Sequence, residues 1–79
     1  MSYPFVPRPK WRDLRLQLER EAGCTFVPAP HPRIQRVIDN VILFYPIALA
    51  DTERVSLMVL RSILRRLKLP LAQYGVGFA

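Results

Sequence analysis

The sequence predicts an all-α fold, a small bundle of two or three helices. Three observations lead there. Apolar residues recur at helical spacing in two segments, Ile34–Tyr45 and Glu53–Leu67. Proline- or glycine-marked stretches flank them on both sides. About six residues join the two stripes, a length that suits an antiparallel helical hairpin over 33–45 and 52–68. The organisation that follows is an extended proline-rich arm over 1–9, a helical domain over 10–70 and a flexible apolar tail over 71–79.

Pro4, Pro7 and Pro9 stiffen the arm. A fixed φ and a missing N–H favour an extended, polyproline-like path. Tyr3 and Phe5 supply apolar anchors, either for a partner or for the chain's own helices.

Over Lys10–Ala22, Trp11, Leu14, Leu18 and Ala22 share one helical face, Arg15 and Glu19 stand at i,i+4, and Gly23 is a natural stop. Leu14, Leu16 and Leu18 also alternate, so a β-hairpin running into Cys24–Val27 competes. Strong helix formers and few β-branched residues select the helix. Pro28, Pro30 and Pro32 then make a stiff linker, and Pro32 opens the next helix.

In that helix Ile34, Val37, Ile38, Val41, Phe44 and Tyr45 form the stripe, opposed by Gln35, Arg36, Asp39 and Asn40. Pro46 ends it. Asp51 or Thr52 caps the following helix, and Glu53 complements its dipole. Leu57, Leu60, Ile63, Leu64 and Leu67 are its core stripe, Arg65, Arg66 and Lys68 crowd its C-terminal end, and Pro70 stops it. The tail ends on a glycine-spaced run tipped by Phe78, with Tyr74 before it.

The chain has 79 residues, 51% of them hydrophobic, with eight prolines. A single small core of this size struggles to cover so much apolar side chain, which points to a partner, another copy or a larger assembly. Cys24 is the only cysteine and His31 the only histidine. An intrachain disulfide is therefore impossible, and a structural zinc lacks its usual four ligands. The longest charge-free runs, Asn40–Ala50 and Leu69–Ala79, are too short for the roughly 20 residues of a spanning helix. The N-terminus lacks an apolar secretory core. A cytoplasmic or other reducing, soluble compartment is the expectation.

No catalytic constellation is visible. Cys24 and His31 have no acidic orienter nearby in sequence, and the six acidic residues are scattered at caps and helix surfaces. Gly75-Val76-Gly77 lacks the lysine and hydroxyl residue of a phosphate loop. Neither a cofactor nor a metal is expected, and the protein reads as a non-enzyme.

The net charge is +6, from 12 basic and 6 acidic residues. Arg54, Arg61, Arg65 and Lys68 follow i, i+7, i+11 and i+14 on one helical face, with Arg66 beside them. Such a face could follow phosphates, extended by Arg33 or Arg36. Aromatic residues are not interleaved with it in sequence, and the inter-helix link is unlike a helix-turn-helix turn. A solvated face that keeps an oily helix soluble explains the same stripe. An anionic membrane surface fits less well, because the same outline describes any bundle helix.

The leading expectation is a small basic protein–protein interaction module, an accessory subunit of a larger assembly or an inhibitor or adaptor docking on a larger protein. Tyr3, Phe5, Trp11, Tyr74 and Phe78 are its candidate partner-binding residues, and self-association would serve equally. The alternative is a nucleic-acid-binding module contacting phosphates through Arg54, Arg61, Arg65, Arg66 and Lys68.

Overall fold

Two helices pack on one face of a three-stranded antiparallel sheet, in the order α1 (Trp11–Ala22), β1 (Thr25–Val27), β2 (Arg33–Ile38), β3 (Val41–Pro46) and α2 (Leu57–Arg66), with a short 3-10 turn at Ala72–Tyr74. This is a computed structural model, and it describes residues 8–74. The fold is α+β, not the all-α bundle that the apolar spacing predicts.

The correction lies in residues 33–46. Ile34–Tyr45 forms the β2–β3 hairpin, with Ile34 opposite Tyr45, Arg36 opposite Leu43, and Ile38 opposite Val41. Asp39 and Asn40 make the turn, at φ 51° and 65°. Positive φ at both central residues is the two-residue hairpin turn whose twist matches the flanking strands, and Asp and Asn tolerate it best after Gly. The segment is also rich in β-branched and aromatic side chains, which fit a pleated, half-buried surface. Its apolar residues satisfy a helical period and a strand pairing alike, and the turn decides between them. The helical hairpin over 33–45 and 52–68 is accordingly replaced by a β-hairpin and one helix.

Helix α1 ends on Gly23 in the left-handed region, φ 68°, with the Cys24 N–H donating to Leu18 O at 3.2 Å. Its start has no side-chain cap. The Trp11 and Arg12 N–H groups donate instead to Glu53 O and Asp51 O, at 2.8 and 3.1 Å. The β3–α2 loop thus satisfies the helix's free donors. Val55 N–H donates to Pro9 O at 2.8 Å, and Lys10 bridges Arg54.

These ties hold Arg54 in a β-bridge to Lys10, so α2 starts later than expected. Ser56, not Asp51 or Thr52, is its N-cap, its hydroxyl accepting from Val59 N–H at 3.2 Å. Leu60, Ile63, Leu64 and Leu67 are buried, while Leu57 in the first turn is 46% exposed.

The core joins Trp11, Leu14 and Leu18 of α1 to that α2 stripe, over Ile34 of the sheet. Trp11 meets Phe26 edge-on, ring centres 5.8 Å apart. Leu69 and Tyr74 close the core from the C-terminal side. Among the described residues the other sheet face carries no helix, and Val37, Ile42 and Phe44 on it are 59%, 58% and 44% exposed.

Candidate functional site

A shallow, widely open cleft of about 570 Å³ lies between β3 and α2, lined by Leu43, Tyr45, Ser62, Arg65, Arg66 and Lys68. Strand alternation turns Leu43 and Tyr45 toward the helix layer, because they pair with Arg36 and Ile34 on that face. Ser62, Arg65 and Arg66 stand at i, i+3 and i+4 along one side of α2. Lys68 follows the C-cap Leu67 in the left-handed region, φ 57°, which carries it off the helix axis.

Two arginines brace the cleft. Arg36 on β2 donates through one guanidinium nitrogen to Leu67 O at 2.8 Å and to Lys68 O at 3.1 Å. It satisfies carbonyls that the end of α2 would leave free. Arg66 donates to Phe44 O at 3.5 Å, a long contact that sets its guanidinium at the outer edge of β3. The Ser62 hydroxyl donates to Met58 O at 3.0 Å and keeps its own oxygen as an acceptor.

Among the described residues, no carboxylate lines this cleft. The ion pairs among the described residues are Arg12–Asp13, Arg15–Asp51 and Arg20–Glu21, and none involves α2. The sequence holds no acidic residue after Glu53, whereas five basic residues follow it. The positive charge along α2 and its C-terminal turn is therefore not offset by an acidic residue from the same stretch of sequence.

Among the expected basic residues, Arg65, Arg66 and Lys68 come together in the cleft. Arg54 and Lys68 lie outside α2, so the single helical stripe does not form. Arg54 reaches back to Arg8 O at 3.2 Å, and Arg61 stays half-buried on α2 without lining the cleft. Trp11 and Tyr74 are core residues, 1% and 2% exposed, and a partner could not touch them without opening the domain. Tyr3, Phe5 and Phe78 fall outside the described residues.

Tyr45, Leu43 and Ser62 are the lining residues that sequence reasoning missed. A helix over 33–45 would hide Tyr45 in a bundle, while the hairpin delivers it beside three cations. The signal for it is Asp39-Asn40 between two runs rich in β-branched and aromatic residues.

Cys24 is buried, and desolvation raises its thiol pKa above the ordinary value, partly opposed by Arg36. Burial raises the Tyr74 phenol in the same way, reinforced by Glu21. Both groups stay neutral near pH 7. His31 is exposed in the β1–β2 loop. Among the described residues, no cluster of three histidine, cysteine or acidic side chains could hold a metal ion. No helix among them is long and apolar enough to cross a membrane.

Comparison with known protein families, with curated proteins and with solved structures found no match to this chain.

Proposed function

We propose that this protein is a non-enzymatic module that binds a nucleic acid through its phosphates, in the cleft between β3 and α2. One observation carries the reading: Arg65, Arg66 and Lys68 converge beside Tyr45 with no carboxylate among the lining residues. Arginine gives a planar fork that matches phosphate oxygens and lysine adds a point charge, while the half-buried Tyr45 packs against the core beside them. Arg36 acts as a positioning residue, since it fixes the turn from which Lys68 projects.

The test is fluorescence anisotropy with labelled single- and double-stranded oligonucleotides. Three phosphate contacts imply an affinity loss of roughly 20- to 40-fold between about 50 and 200 mM salt. Arg65→Glu with Arg66→Glu should reduce binding at least about tenfold, while Arg20→Glu on α1 leaves it unchanged. Salt-independent binding, or a double variant that binds as the parent does, removes the reading.

A second reading, a protein–protein interaction module such as an accessory subunit or an inhibitor, is favoured by Val37, Ile42 and Phe44 exposed together on the open sheet face. It predicts that Phe44→Lys leaves the fold intact and abolishes association with the partner. Association undiminished by that change counts against it. On either reading a reducing compartment suits a chain whose sole cysteine is unpaired.

A further inference from the structure

Among the described residues, strand β3 is an edge of the sheet. Its two-residue turn closes on a hydrogen-bonded pair, Ile38–Val41, so Arg36–Leu43 and Ile34–Tyr45 are the next bonded pairs in an antiparallel ladder. Ile47 N–H donates to Pro32 O at 3.1 Å, continuing the same alternation. The main-chain groups of Ile42 and Phe44 therefore point outward, away from β2. Arg66 reaching Phe44 O agrees with that orientation.

The same two residues present exposed apolar side chains on the open sheet face, next to Val37. On the other side of this edge stand Arg65, Arg66 and Lys68. The edge thus has three parts: outward backbone donors and acceptors, an apolar flank and a cationic flank. Natural sheets shield such edges with charge, proline or a covering element. Here the strand itself is uncharged from Val41 to Pro46, with its only proline at the end, and the Arg66 guanidinium on Phe44 O, a long contact that an added strand would displace, is the charged group at this edge.

We infer that β3 receives an extended segment of a partner protein as a fourth strand, one whose side chains alternate apolar and acidic. Backbone hydrogen bonds to Ile42 and Phe44 would hold it. Its apolar side chains would lie against Ile42 and Phe44, and its carboxylates would meet Arg65, Arg66 and Lys68. A second copy of this chain fits poorly, because pairing β3 with itself brings two Arg66 guanidinium groups to one seam. The inference rests on the second reading above and gives it a mode and a chemistry; it sets carboxylates where the first reading sets phosphates, so the two compete for Arg65, Arg66 and Lys68.

The probe is a capped octapeptide of alternating valine and glutamate, with a valine–lysine peptide as control. Binding is followed by amide NMR and by hydrogen exchange on the full chain. The glutamate peptide should shift and protect the Ile42 and Phe44 amides, and should bind at least about tenfold more tightly than the lysine peptide. Arg65→Glu with Arg66→Glu, both exposed positions, should remove that preference. Ile42→Pro, which deletes one outward N–H and spares the bonds to β2, should abolish binding. Equal binding of the two peptides overturns the inference, as does dimerisation of the chain through this edge. Shifts at Val37, Ile42 and Phe44 side chains without protection of the edge amides overturn strand addition but leave the apolar face as a docking surface. No response anywhere on the sheet removes both.

Discussion

Arg36 joins the middle strand of the sheet to the end of α2, donating to Leu67 O and Lys68 O at 2.8 and 3.1 Å. It is the residue that couples the fold to the cleft. Arg36→Met keeps much of the stem packing but leaves those carbonyls short of a charged donor. Hydrogen bonds to charged groups are worth about 1.5–3 kcal/mol, so urea unfolding should show a stability loss of about 1–3 kcal/mol. Unchanged stability would mean that the contact contributes nothing.

Ser56 starts α2, and Thr52 does not. Ser56→Ala should cost about 1 kcal/mol, the usual worth of an N-cap. Thr52→Ala should stay within about 0.5 kcal/mol of the parent, as for most exposed loop positions. Denaturant midpoints of the two variants, measured side by side, check the assignment. The reverse order would restore the earlier helix start.

Trp11 belongs to the core at 1% exposure. A chain of 79 residues has a total stability of roughly 4–12 kcal/mol, and truncating a buried tryptophan to alanine removes about 3–5 of it. Trp11→Ala should therefore lose about 3–5 kcal/mol, a large share of that total, visible in urea unfolding followed by circular dichroism without any ligand. A folded Trp11→Ala protein of near-parent stability would contradict its place in the core.

Cys24 and Tyr74 give a pH dependence of definite sign. Burial raises both pKa values in the folded state. The unfolded chain then loses these protons first as pH rises, so it binds fewer protons than the native state and stability falls with pH. The stability contributed is complete below the unfolded values and is lost as pH climbs through the raised folded ones. Urea unfolding at neutral and at strongly alkaline pH should show the decline, and Cys24→Ala should lessen it. A flat or rising curve would contradict the burial of these groups.

Several parts of the fold were legible in the sequence. Trp11, Leu14 and Leu18, with Gly23 behind them, outline α1, and Leu60, Ile63, Leu64 and Leu67 outline α2. Residues 33–46 were not, because Ile34, Ile38, Val41 and Tyr45 are buried-face candidates at both a period of 3.6 and a period of two. The cleft was half legible. Arg65, Arg66 and Lys68 stand out by charge, whereas Tyr45 joins them only once Asp39-Asn40 folds β3 back along β2 and α2 packs over it. Trp11 and Tyr74 look like free anchors in a linear reading, since their burial depends on contacts distant in sequence.

The most direct measurement is an amide NMR titration of the full chain with a twelve-nucleotide oligonucleotide at low salt. Phosphate binding in the cleft predicts that shifts gather at residues 43–45 and 62–68 and fade as salt is added. Shifts centred on α1, or none at all, would contradict a nucleic-acid site between β3 and α2.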